Sequence, residues 1–461
     1  MPKSPFFAAC EHGPRPFGSV AWVLALLTLT VSQLALFGQA PAQQALPTLS
    51  VVVTPHGDNA PAQRDKPYLI LVSIDGFRFD YARLYGATNL QSLARRGASA
   101  PKGMIPAYPS VTFPNHYTII TGLYPENHGI VANSFYDPAR KQKFVYTDRS
   151  TSGDGSWYGG VPLWVLAERQ GMRAACFFWP GAEAEIGGVR PTYNVLYDPR
   201  MPNEQRVNQV VDWLRLRPEQ RPHIITLYFS DVDTAGHETG TDSPQTAQAV
   251  RRIDGLIGRL SAGIATLGLP VNLVVVSDHG MVNTQGPWIN LQDFADLTGF
   301  QTVGPLLYPP DEAAAARVYA QLHNASDKFV VYRRSQLPAR LHYSRSERIG
   351  DPVVVPTGPY LIRAYASNDP KEVPPKGMHG YDPQSMEAMR GIFYAAGPGI
   401  RPGATLAPFE NVNVYPLLAK ILGLETGPID GDPNALQSIL RMTSAPALRR
   451  PGALVPSQPQ R

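Results

Sequence analysis

The sequence predicts an α/β fold, a central mostly parallel sheet flanked by helices, on three observations. Apolar strand-like runs alternate with helical ones along most of the chain. Three of those runs end in a carboxylate: YLILVSIDG at Asp75, IITLYFSDVD at Asp233, and LVVVSDHG at Asp278 with His279 beside it. The third observation is bulk: 461 residues, 43% hydrophobic and 17% charged, are enough for a substantial core. In open α/β sheets the carboxyl ends of the strands face one crevice, so the three carboxylates mark a candidate active site. Carboxylates and imidazoles gathered there suit a metal ion.

Taken in order, Lys3 and Arg15 precede an apolar run from Val20 to Gly38, with small residues at Gly38 and Ala40. This reads as an export signal over residues 1–40. The alternative is an uncleaved membrane anchor, because the run is near the lower length limit for a spanning helix. Either way the rest of the chain is expected outside the cytoplasm, periplasmic or secreted. Cys10 would leave with the signal, so Cys176 is the lone mature cysteine. Its setting in AACFFW suits a buried thiol better than a reactive one.

Residues 41–66, rich in Pro, Ala and Gln without periodicity, read as a flexible lead-in, and 441–461 as a flexible tail. A catalytic domain over 67–440 lies between them. Helical patterns cover Asn89–Arg96, Pro162–Gln170, Asn203–Leu216, Gln245–Thr266 and Val412–Leu422, several stopped by glycine. Residues 283–376 break the rhythm with prolines and short elements such as KFVVYRR and PYLIRAYA. They read as a small inserted α+β subdomain capping the crevice. The formal charge of +4 is spread along the chain without Lys/Arg stripes, which argues against nucleic-acid scaffold binding. No internal repeat is evident.

In YPSVTFPNHYTIITG, Thr112 stands two residues before Pro114 and a helical run. Proline favours the first helical turn, which places Thr112 at or near a helix N-terminus. There free backbone N–H groups and the helix dipole favour a phosphate or a developing alkoxide. An isolated Thr-x-Pro would more often be a simple cap. The rest of the chain argues otherwise: DTAGH places His237 four residues after Asp233, SDHGM pairs Asp278 with His279, and His379 stands in KGMHGYDPQSM. Singly, such residues are more often structural. Together they supply four-ligand shells for two metals.

These motifs resemble the nucleotide pyrophosphatase/phosphodiesterase family of the alkaline phosphatase superfamily, in its bacterial single-domain form. The resemblance runs from about Tyr68 to Leu424 through DGFR at Asp75, TFPNHYTIITGLYPENHGIVAN from Thr112, WPG from Trp179, DTAGH, SDHGM, HGYDP from His379 and FENVNVYPLLAKILGL from Phe409. It implies an alkaline-phosphatase-like fold and two Zn2+. One zinc would be held by Asp233, His237 and His379, and the other by Asp75, Asp278, His279 and the Thr112 oxygen. Asn133 would join the Thr112 amide on a phosphate oxygen. Phe113, Tyr197 and Tyr228 fall where nucleotide-cleaving members bind the base. Family members often carry a proline where this chain has Val232, but the ligand beside it is retained.

The chemistry needs such a set. A threonine hydroxyl is almost never ionised at neutral pH, and a zinc on its oxygen lowers that proton cost, as it lowers the pKa of bound water to about 7. Two metals stabilise both attacking and leaving oxygens of an in-line displacement. The expected reaction is hydrolysis of nucleotide phosphodiester or pyrophosphate bonds to nucleoside 5'-monophosphates, through a covalent threonyl ester. Base stacking on Tyr197 and Tyr228 would tolerate every base, although strand aromatics are often core. The rivals are a phosphodiesterase for choline or lipid head groups, which would share every metal ligand, and a non-catalytic zinc-binding exported protein. A phosphomonoesterase would need an added positive group, and a sulfatase a Cys or Ser nucleophile. His116 and His128 read as hydrogen-bonded scaffold, Asn115 as a brace for the nucleophile turn. Asn324-Ala-Ser is a glycosylation sequon, relevant in a eukaryotic host. A monomer is expected.

Overall fold

The computed structural model describes residues 47–369 and 371–441. The expected signal over 1–40 and the tail from 442 lie outside them. Among the described residues no helix is long and apolar enough to cross a membrane.

Nine strands form one sheet: β1 (Val52–Val53), β2 (Tyr68–Ile74), β3 (Ala98–Ser99), β4 (Ala174–Phe177), β5 (Tyr193–Val195), β6 (Ile224–Phe229), β7 (Val271–Val276), β8 (Phe393–Ala396) and β9 (Ala404–Thr405). Their order is β1-β5-β4-β6-β2-β7-β8-β3-β9. The centre, from β5 through β7, is parallel. Strand β8 runs antiparallel to both β7 and β3, so the sheet is mostly, not wholly, parallel. Every residue of β2, β6 and β7 is buried, as expected for strands covered on both faces, which read as continuous apolar runs.

Side-chain alternation along β2 divides the core into two layers. Leu69 and Leu71 join Trp164, Ile119 and Leu418 on one face. Ile70, Val72 and Ile74 join Val210, Val250 and Ile253 on the other. The first layer is roofed by α2 (Thr112–Thr121), α3 (Leu163–Arg169) and α8 (Val414–Leu422), the second by α1 (Thr88–Arg96), α4 (Asn203–Leu214) and α6 (Pro244–Ala265). Two further helices of nine residues or more are α5 (Asp231–Thr239) and α7 (Glu312–Leu322). Helix α6 starts where its chemistry dictates, with Pro244 in the first turn and the Ser243 hydroxyl accepting from Thr246 N–H at 3.0 Å. The run read as helical from Val412 instead opens with a 3-10 turn over Asn411–Asn413.

Residues 48–66, read from sequence as flexible lead-in, are fastened to the body. Val52 and Val53 pair with β5. Buried Asn59 donates to the carbonyls of Pro218 and Arg221 and accepts from Arg173 N–H at 2.8 Å. A single buried amide with three partners holds a segment that composition alone cannot show to be ordered. Between residues 283 and 376, three two-stranded pairings and α7 enclose a separate apolar cluster from Leu291 to Ala364. Cys176 is fully buried in β4, and burial pushes its thiol up to about 12.

Candidate active site

Strand ends bring the carboxylates together as the sequence predicts, with one adjustment. Asp75 follows β2 and Asp278 lies just beyond β7, but Asp233 sits in the first turn of α5, with His237 one turn on. Glycine makes the approach feasible. Gly76 has φ +65, and a Cβ there would meet the Asp233 backbone at 2.9 Å.

Two groups of donors result. In one, His279 Nε2 lies 3.0 Å from Asp278 Oδ2, 3.3 Å from Asp75 Oδ1 and 3.4 Å from Thr112 Oγ1. In the other, Asp233 Oδ1 lies 3.3 Å from His237 Nε2 and 3.6 Å from His379 Nε2. The groups touch, since the His279 and His379 rings stack at 3.6 Å. Metal-compatible donor clusters form as Asp75–Asp278–His279 and as Asp233–His279–His379, so His279 stands between both.

The surroundings fix each donor's orientation. His237, His279 and His379 each use Nδ1 on a backbone carbonyl, those of Gly377, Gly280 and Ser110, at 2.8 to 2.9 Å. A carbonyl only accepts, so each Nδ1 carries the proton and each Nε2 turns its lone pair inward, the arrangement metal-binding histidines adopt. His237 Nε2 and His379 Nε2 consequently face each other at 3.2 Å, a contact that a proton or a metal ion relieves. The carboxylates follow the same rule: Asp75 Oδ2 accepts from the Tyr228 hydroxyl at 2.6 Å and Asp278 Oδ1 from Gly76 N–H at 3.2 Å. Asp75 Oδ1, Asp278 Oδ2 and Asp233 Oδ1 are buried without a hydrogen-bond partner. Buried orphaned oxygens beside inward imidazole lone pairs fit divalent metal ions.

Burial and mutual charge shift the titration of these groups in opposite directions. Burial, then the Asp278 and Asp233 charges, push the Asp75 carboxyl well above the usual range. Burial also opposes ionisation of Asp278, but His279 and His116 overcome it and hold its pKa down. Burial lowers the His379 imidazole to about 3, with His279 adding to the effect. Asp278 raises His279 against the pull of burial. An entering metal must displace whatever protons these groups share.

Thr112 is the first residue of α2, after the extended cap residue Val111. Asn115 braces this turn with all its bonds made: its Nδ2 donates to the Pro109 and Val111 carbonyls, and its Oδ1 accepts from Ala107 N–H and Asn411 Nδ2. His116 contacts the Thr112 carbonyl and Ser73 Oγ, and His128 the Thr118 hydroxyl, as buried scaffold. Asn133 Oδ1 accepts from Phe113 N–H at 2.8 Å, which leaves its amide NH2 and the Thr112 N–H for a ligand.

Beside Thr112, a pocket of about 450 Å³ is lined by Phe113, Tyr197 and Tyr228, together with Tyr146, Phe178 and Trp179. Tyr146 carries no signal in the sequence and packs edge-on to Phe113 at 5.5 Å. An adjoining polar pocket of about 860 Å³ shares Thr112, Tyr146, Tyr197 and Tyr228 with it and includes Asp233, His237 and Arg206. Arg206 was legible in principle, as a cation four residues before Val210 on the buried face of α4. Tyr228 has a second task, its hydroxyl bond to Asp75. Tyr228→Phe is expected to weaken metal retention about 10- to 100-fold, the usual cost of losing such a partner, with little change in base preference. Chelator competition measures it, and parental retention would refute the assignment.

The profile of the family described as type I phosphodiesterase / nucleotide pyrophosphatase matches residues 69–382. A Schizosaccharomyces pombe protein named as an uncharacterised pyrophosphatase/phosphodiesterase is 36% identical over 79% of this chain and 78% of its own. Human ectonucleotide pyrophosphatase/phosphodiesterase family member 1 is 35% identical over 83% of this chain, but the match spans only 42% of that longer protein. Among solved structures, murine ectonucleotide pyrophosphatase/phosphodiesterase 5, an inactive variant in complex with AMP, superposes with a TM-score of 0.76 at 29% identity, covering 82% of this chain and all of the other.

Proposed function

Because the chain belongs to the type I phosphodiesterase / nucleotide pyrophosphatase family, we propose that it is an exported two-zinc enzyme that hydrolyses nucleotide phosphodiester or pyrophosphate bonds, releasing nucleoside 5'-monophosphates through a covalent threonyl ester. The observation that carries this reading is Thr112 at a helix N-terminus, 3.4 Å from a histidine that lies between two donor groups. Asp75, Asp278, His279 and the Thr112 oxygen would hold one zinc, and Asp233, His237 and His379 the other. Bound zinc lowers the proton cost of ionising the hydroxyl and of activating the water for the second step.

The chain's own residues do the rest. Thr112 Oγ1 attacks phosphorus and the leaving alcohol or pyrophosphate departs on the opposite side. The Thr112 N–H and the Asn133 amide hold a non-bridging oxygen as charge develops. Water then cleaves the phosphothreonyl ester and regenerates the hydroxyl. The nucleoside lies in the pocket of Phe113, Tyr146, Tyr197 and Tyr228, where a nucleobase stacks at about 1–3 kcal/mol; the AMP bound to the murine relative supports a nucleotide as the substrate. Residues 67–440 form the catalytic domain of a monomer, with 283–376 as its cap.

The test compares zinc-replete protein on the nitrophenyl ester of a nucleoside monophosphate, on nitrophenyl phosphate and on nitrophenyl phosphorylcholine. The nucleotide diester is expected to be cleaved best. Preference for the phosphorylcholine ester would move the function to lipid head groups, and preference for the monoester would refute the diesterase reading.

A further inference from the structure

Val111 and Phe113 flank the nucleophile and open into different cavities. Phe113 lines the aromatic pocket. Val111 lines a second cavity of about 510 Å³ that reaches the site at Asn133 and His379. Its far wall is apolar, built from Trp288, Val303, Leu306, Tyr343 and Val353 of the 283–376 segment. We propose that this cavity is the subsite for the second ester arm of the substrate, and that it selects an uncharged alkyl or aryl arm over a polyphosphate. The proposal rests on the phosphodiesterase reading and deepens it.

The charge inventory decides the class of arm. Apart from His379 of the site itself, the cavity's only ionisable cation is Arg363. That guanidinium is committed: it donates to Asn290 Oδ1 at 2.8 Å and Glu372 Oε2 at 2.5 Å and lies over the Trp288 ring at 4.9 Å. The phenol tips of Tyr343 and Tyr381 are likewise spent on the carbonyls of Val131 and Tyr360, which leaves only the neutral hydroxyls of Tyr108 and Tyr360 among the cavity's phenols. A pyrophosphate arm would surrender its hydration for a single guanidinium already neutralised by Glu372, which is strongly unfavourable. An alkyl or aryl arm would bury apolar surface against apolar wall. A diester thus fits with its nucleoside on the Phe113 side, its phosphorus at Thr112 and its second arm on the Val111 side.

The experiment compares the methyl and n-hexyl esters of AMP, whose leaving alcohols have similar acidity, on the zinc-loaded full chain. Each buried methylene multiplies kcat/KM by about fourfold at most, so the hexyl ester is expected to be favoured at least tenfold. Val303→Trp fills the cavity from its far wall, with Leu306→Trp as an independent second filling. Either is expected to reduce the hexyl advantage to about twofold while leaving methyl-ester turnover and zinc content unchanged. A hexyl-to-methyl ratio near one in the parent protein, or a ratio that neither filling alters, would overturn the subsite. Turnover of neither ester would instead overturn the phosphodiesterase reading beneath it.

Discussion

Thr112→Ala is expected to lower kcat/KM for the nucleotide diester by on the order of 10⁴-fold or more, as loss of a nucleophile does, while leaving zinc content and melting temperature nearly unchanged. The structure separates the two effects. Thr112 is the first helical residue of α2 and not its cap, and among the described residues its hydroxyl's one hydrogen-bonding contact is the 3.4 Å approach to His279. The turn is held by Asn115, whose four bonds do not involve the Thr112 side chain. Alanine is a good helix former at that position, so stability should shift by less than about 0.5 kcal/mol. Metal analysis alongside turnover checks both halves. Appreciable turnover in the alanine variant would sink the covalent route, and Thr112→Ser should retain a measurable fraction.

Gly280→Ala should destabilise the fold by about 2–4 kcal/mol, through overpacking that cannot relax, and should cost metal affinity at the same time. A Cβ at Gly280 would lie 2.1 Å from the Ala388 carbonyl oxygen and 2.8 Å from that of Arg390. Both obstacles are backbone, and Gly280 N–H is itself bonded to the Met389 carbonyl at 2.8 Å. Relief therefore requires moving the segment that carries His279, whose Nδ1 is oriented by the Gly280 carbonyl. Gly255→Ala, on the exposed side of α6 with open space around its Cβ, is the control and should stabilise by about 0.5–1 kcal/mol. Thermal melts with and without chelator report both terms; parental zinc affinity in Gly280→Ala would show that the close approach does not position the ligand.

The sequence carries much of this site because its donors lie where strands stop. Asp75 and Asp278 terminate apolar runs, and Asp233 and His237 share a helix face at four-residue spacing, so local pattern is enough to nominate them. His379 is different. It lies far along the chain, just after a two-residue strand, Gly377–Met378, so no apolar run or helical spacing ties it to the other donors, and its place in a ligand set came only with the family resemblance. The Tyr228 bond to Asp75 depends on the parallel register that sets Tyr228 opposite Ser73 across β2 and β6, and no one-dimensional pattern encodes register between strands 155 residues apart (228 − 73). The described part of the lead-in is ordered for the related reason that long-range contacts, the pairing of Val52 and Val53 with β5 and the bonds of buried Asn59, hold it where composition is silent. The antiparallel insertion of β8 is equally silent, because a short buried strand reads the same in either direction.

The inward lone pairs and orphaned carboxylate oxygens have a consequence beyond turnover. Such a cluster is frustrated without its cation, so the folded state and the cation are thermodynamic partners. Each tenfold rise in free divalent metal above the dissociation constant then adds about 1.4 kcal/mol of stability per site. The melting point becomes a gauge of metal supply in the surrounding medium, and a metal-starved compartment would soften the protein as well as silence it.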